Sequence, residues 1–189
     1  MYSLLPNAVI LAKEYVAKAL GPGGRAVDAT AGNGHDTLFL ARLAGEEGRV
    51  YAFDIQQAAL DNTLERLRAA GVDKQVKLTL AGHEEMAGYV TEPVDVVMFN
   101  LGYLPGGDHG IITRPETTLV AVKEGLTLLK PGGLMTLVVY HGHAGGAEEA
   151  REVDEFAAGL TQEEFAVARL SFLNRRQAPH YVIIIEKSR

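Results

Sequence analysis

The stretch Val27-Asp28-Ala29-Thr30-Ala31-Gly32-Asn33-Gly34-His35-Asp36-Thr37 constrains the fold more than any other part of this chain. Apolar Ala26 and Val27 run into a turn of small residues, and Leu38, Phe39 and Leu43 then recur at helical spacing. A strand that feeds a helix through a glycine-bearing bend creates a ligand position at the bend. Gly32 and Gly34 allow close approach of the backbone, and the helix that follows starts with unpaired N–H donors. The next apolar run, Val50 to Phe53, ends in Asp54, about 20 residues on, where an acid can take the hydroxyls of a ribose. Turn and acid therefore read as one nucleoside site.

What the turn lacks narrows the ligand. A dinucleotide fingerprint needs G-x-G-x-x-G and a phosphate loop needs Gly-Lys-Ser/Thr, whereas here Gly34 is followed by His35-Asp36-Thr37. Asp28 and Asp36 would repel a pyrophosphate and suit a cationic amino-acid moiety such as that of S-adenosylmethionine. The chain has no cysteine, which excludes disulfides, thiolate zinc sites and a cysteine-linked methyl intermediate. A net charge of −6 argues against nucleic-acid binding by a broad basic face and leaves room for a local patch. The 189 residues, 47% of them hydrophobic, are expected to form one domain, 1–189. No apolar run has transmembrane length and the first residues lack a signal pattern, so a cytoplasmic protein without membrane contact is expected.

Periodicity orders the rest. Helices are predicted over Asn7 to Leu20, Gln57 to Ala70 (closed by Gly71), Pro115 to Leu129, and after the His141–Gly146 loop through Leu160. Strands are predicted at Val76 to Leu80, Val94 to Phe99 and Leu134 to Tyr140, the last after a Leu-Lys-Pro-Gly-Gly turn. The end of the chain departs from this alternation of strand and helix. There Phe165 to Phe172 and Tyr181 to Ile185 flank a polar turn and read as an antiparallel pair. The expectation is an α/β fold, an open, mostly parallel Rossmann-like sheet of about seven strands with a C-terminal antiparallel hairpin, its ligands beyond the carboxyl ends of the strands. His83, after the third strand, is expected either to flank an adenine ring or to be a solvated loop residue.

The Asp28–Gly34 turn, Asp54, Asn100-Leu101-Gly102-Tyr103-Leu104-Pro105 and the Leu-Lys-Pro-Gly-Gly turn together resemble the class I S-adenosylmethionine-dependent methyltransferases. More narrowly, NLGYLPGGD (100–108), YHGHAGG (140–146) and Asn174 resemble the small bacterial family of putative rRNA methylases, whose characterised members are MnmM-type tRNA methyltransferases. The resemblance implies methylation of the amino group of 5-aminomethyl-2-thiouridine at the tRNA wobble position, in the anticodon loop. It implies S-adenosylmethionine bound by Asp28, Gly32, Asn33, Gly34, Asp36, Asp54, Gln56, Gly82, His83 and Asn100. Asn-Leu-Gly-Tyr replaces the Asn-Pro-Pro-Tyr of many amino-methyltransferases, so acceptor geometry does not carry over from adenine methylases.

Chemically, nitrogen methylation needs a neutral amine with its lone pair aimed at the methyl carbon. The Asn100 amide oxygen can accept the amine hydrogens and Tyr103 can wall the base. An aminomethyl group is protonated in water, so a base is wanted, and Asp108, His109, His141 and His143 are the candidates. Those four could also ligate a metal, but a His-Gly-His loop is weak evidence and none is expected. Arg114, Asn174, Arg175 and Arg176, with His109 and His143, are the expected RNA contacts. The alternatives are an rRNA or small-molecule amine methyltransferase and a noncatalytic S-adenosylmethionine-binding module; a homodimer is left open.

Overall fold

The computed structural model describes residues 6–102, 104, 106, 112–142, 145–174 and 180–189. Its strands are β1 (Arg25–Asp28), β2 (Arg49–Asp54), β3 (Val76–Leu80), β4 (Val94–Leu101), β5 (Leu129–Tyr140), β6 (Phe165–Leu170) and β7 (His180–Lys187). They form one sheet in the order β3-β2-β1-β4-β5-β7-β6. β1 to β5 run parallel, and β7 is antiparallel to both β5 and β6. The strand order reverses between β1 and β4, which opens a crevice at the carboxyl edge between them, the usual ligand position in such sheets.

The helices are α1 (Ala8–Ala19), α2 (His35–Ala44), α3 (Gln57–Ala69), α4 (Pro115–Leu128) and α5 (Gly146–Ala158), with a 3₁₀ turn at His83–Gly88. Local chemistry sets their ends. The Asn7 side chain accepts from the Ile10 N–H and caps α1, and Pro115 opens α4, where its missing N–H costs nothing.

Period-two alternation in β4 sorts the core. Val97, Phe99 and Leu101 face the layer that contains Met86, Val122 and Val153, while Val96 and Met98 face the layer that contains Val16, Leu40 and Leu67. Asn100 is in phase with Val96 and Met98, which directs it toward the side of α1 and α2.

The expected elements are present. The Leu-Lys-Pro-Gly-Gly segment differs from its sequence reading: it belongs to β5, which begins at Leu129. Val94 pairs with Leu129 and Val96 with Leu134, so Lys130 to Gly133 bulge out of the ladder. Asp95 holds the bulge, accepting from the Lys130 ammonium (2.8 Å) and the Arg25 N–H (2.7 Å).

Candidate functional site

A cavity of about 460 Å³ opens at the carboxyl edge of β1, β2 and β4. Asp54, Gln56, Gly32, Gly82, His83 and Asn100 line it, and Arg114 stands at its rim. Asp54 joins the two halves of the site. Its Oδ2 accepts from the Gly32 N–H and its Oδ1 from the Gln56 N–H, each at 2.9 Å. The acid at the end of β2 thus anchors the turn after β1, and each of its oxygens keeps a lone pair for a ligand hydroxyl.

The turn itself works differently from the sequence expectation. Asp28, Asn33, Gly34 and Asp36 are absent from the cavity wall. Gly32 donates its N–H to Asp54, and the Gly34 N–H closes the turn onto the Ala31 carbonyl at 2.8 Å, so neither of these donors is aimed at a ligand. Gly34 is required for another reason: with φ +77°, a Cβ there would lie 2.8 Å from Thr63 of α3. Asn33 points away, its side chain accepting from Asn62 at 3.2 Å and its carbonyl from Arg66 at 2.7 Å.

The acids flanking the turn are structural in placement. Asp28 is 1% exposed and accepts from the Thr30 N–H (3.1 Å) and the Thr37 hydroxyl (2.6 Å). Burial, reinforced by the nearby charge of Asp36, pushes its carboxyl up to about 7. Folding therefore raises proton affinity here: the stabilising contribution is complete below the ordinary value of 3.8 and is lost as pH rises to about 7. Asp28→Asn, whose amide can still accept from Thr30 and donate to Thr37, removes that loss. The variant should gain stability relative to the parent as pH climbs from about 4 to 8. Urea unfolding across that range reads the difference, and a pH-independent gap would show that Asp28 does not titrate there.

Asp36, in the first turn of α2, forms an ion pair with Lys13 of α1 at 2.6 Å and accepts a hydrogen bond from the Asn100 Nδ2. The Asn100 backbone N–H donates to the Thr30 hydroxyl at 2.8 Å. Asn100 is thus tied to the turn through both backbone and side chain.

His83 is buried, and it meets Phe99 edge to face with ring centroids 5.9 Å apart. Burial lowers its pKa, outweighing the Glu84 carboxylate, a hydrogen bond to the Ala29 carbonyl and the Asp54 carboxylate, all of which raise it. A neutral, cavity-facing imidazole is therefore present at neutral pH, in place of a solvated loop histidine. His141 is exposed, tilted against Tyr181 at 6.0 Å, and absent from the cavity wall. Asn174 is exposed in the turn after β6. Tyr103, Asp108, His109, His143, Arg175 and Arg176 lie outside the described residues.

The sequence reading missed several wall residues. Ile55, 60% exposed beside Asp54, presents apolar surface at the cavity, as do Leu104 and Ile112. An isoleucine directly after a strand-end acid was a usable signal. Thr113, also in the wall, gave none: its hydroxyl and that of Thr118 each donate at 2.7 Å to Glu149, a fully buried carboxylate at the start of α5. That contact fastens α4 and the segment just before it to α5.

Relatives share this architecture. A putative rRNA methylase from Clostridium thermocellum superposes with a TM-score of 0.95 at 45% identity, covering 97% of this chain and 98% of its own. A putative methyltransferase from Streptococcus mutans, solved in complex with SAH, gives a TM-score of 0.89 at 39% identity over 97% and 99%. The chloroplastic tRNA (mnm(5)s(2)U34)-methyltransferase of Arabidopsis thaliana is 43% identical over 175 residues, which is 87% of this chain and 64% of the plant protein. The chain thus spans less than two thirds of that relative's length. The model of the family described as "Putative rRNA methylase" matches residues 50–186, the greater part of the chain, and the chain belongs to that family.

Proposed function

We propose that the chain is an S-adenosylmethionine-dependent N-methyltransferase whose acceptor is the aminomethyl group of 5-aminomethyl-2-thiouridine at the wobble position of tRNA. The carrying observation is one cavity with two chemically distinct ends: Asp54 at the tip of β2, fit for ribose hydroxyls, and the Asn100 amide at the tip of β4, fit for an amine. The residues suit the cofactor. A carboxylate with free lone pairs sits beside the apolar surface of Ile55 and Phe53, the combination a nucleoside needs. The cofactor would supply an electrophilic sulfonium methyl. The named activity of the Arabidopsis relative and the SAH in the Streptococcus mutans protein support the same reading.

The chain's part in the reaction is positioning. Asn100 would accept an amine hydrogen on its amide oxygen and turn the nitrogen lone pair toward the methyl. The N–C bond forms as the S–C bond breaks, S-adenosylhomocysteine leaves, and the surplus amine proton passes to a base or to solvent at the open mouth. Arg114, exposed at the rim, offers a cation to an RNA phosphate there. A wobble base lies in a single-stranded loop and can be presented without opening a duplex. The reading places the protein in the cytoplasm, with tRNA.

The test is methyl transfer from labelled S-adenosylmethionine to tRNA from cells lacking the modification, with nucleoside analysis of the product. Methylated 5-aminomethyl-2-thiouridine is the expected result. Transfer to ribosomal RNA or to a free amine, with none to that tRNA, would replace the substrate assignment.

A further inference from the structure

Asp36 accepts from Asn100 on one oxygen and pairs with Lys13 on the other, and it does not touch the cavity. A carboxylate paired with an ammonium can only accept hydrogen bonds, so the amide of Asn100 must present its nitrogen to Asp36. That leaves Oδ1 as the polar atom of the side chain with no partner among the described residues. The reverse orientation would set carbonyl oxygen against carboxylate oxygen and would show N–H to an incoming N–H.

We propose that Asp36, paired with Lys13, is the positioning residue that holds the Asn100 amide with its oxygen toward the acceptor and thereby selects a substrate group that donates hydrogen bonds, such as an amine. The inference rests on the assignment of Asn100 as the acceptor-binding residue. Three elements cooperate. Lys13 reaches in from α1, where it also lies 5.2 Å over the Phe39 ring. Asp36 stands on α2, and Asn100 ends β4. The Lys13 ammonium stands 2.6 Å from the Asp36 oxygen that does not meet Asn100 and so anchors the carboxylate from the other side. A hydrogen bond from the amide nitrogen to a carboxylate also polarises the amide and strengthens its oxygen as an acceptor.

Three variants test this. Asp36→Asn allows either amide orientation, and kcat should fall about 10-fold or more while KM for tRNA and affinity for S-adenosylmethionine hold. Lys13→Met leaves Asp36 in place without its cation. Without that anchor the carboxylate is held less firmly, and both kcat and the protection of the Asn100 amide should fall, by less than in Asp36→Asn. In an Asn100→Ala background the Asp36→Asn substitution should have no further effect on kcat, since the side chain it orients is gone. A readout independent of substrate is nitrogen-15 NMR of the Asn100 side-chain amide. Slowed hydrogen exchange is expected in the parent protein and loss of that protection in Asp36→Asn.

A full Asp36→Asn penalty retained in the Asn100→Ala background, or an unprotected Asn100 amide in the parent, overturns the positioning role. Parent-like turnover of Asn100→Ala, with the amide protected in the parent, instead removes the acceptor assignment. Should Asp36→Asn fail to fold, Lys13→Met carries the test alone: parent-like kcat together with unchanged amide protection would overturn the proposal.

Discussion

Asn100→Ala is expected to lower kcat for methyl transfer by about 100-fold while leaving cofactor affinity nearly unchanged. The size follows from its proposed role. Without the amide oxygen the amine loses the acceptor that aims its lone pair, and a misdirected nucleophile of this kind costs on that scale. The fold should survive, because Asp36 keeps its ion pair with Lys13 and the Thr30 hydroxyl still accepts from the backbone N–H at position 100. Single-turnover methyl transfer at saturating cofactor, with calorimetry for affinity, separates the two effects. Weakened cofactor binding with normal turnover of the bound complex would move Asn100 to the cofactor side of the cavity.

Asp54→Ala should produce the larger binding defect, weakening S-adenosylmethionine by about 1.5–3 kcal/mol, or about 10- to 150-fold in Kd. The structure enlarges the expectation drawn from the sequence. Asp54 also holds the Gly32 and Gln56 N–H groups, so its loss leaves two backbone donors without their acceptor and loosens the turn that shapes the cavity wall. Asp54→Asn should fall between, since one amide oxygen can serve one of the two donors while the amide nitrogen opposes the other. Calorimetry on the parent and both variants reads the order, and melting curves separate lost binding from a loosened fold. Equal affinity across the three would end the assignment of Asp54 to the ribose.

Much of this architecture was legible because its cause is local. Alternation and helical spacing depend on residues close in the chain, so the strands, the helices and the antiparallel pair at the end could be read before any tertiary contact was known. The Asp28–Gly34 turn and Asp54 announced a ligand site for the same reason: a strand-end acid about 20 residues after a glycine turn is a one-dimensional pattern. Where side chains point is not local. Asp36 looked like a ligand contact because it sits in the turn, yet the start of α2 aims it at Lys13 and Asn100, residues 23 positions before and 64 after it. Glu149 carried no motif, and only the packing of α5 against α4 and the segment before it showed it as the buried acceptor for Thr113 and Thr118. The Leu-Lys-Pro-Gly-Gly segment read as a turn from composition, but pairing with β4 drew it into β5 as a bulge. The sequence by itself determined the elements and the edge of the sheet where the cavity opens, because hydrophobic period and turn chemistry act over a few residues. Which acids line the cavity and which hold other side chains in place was decided only when α1, α2 and β4 came together.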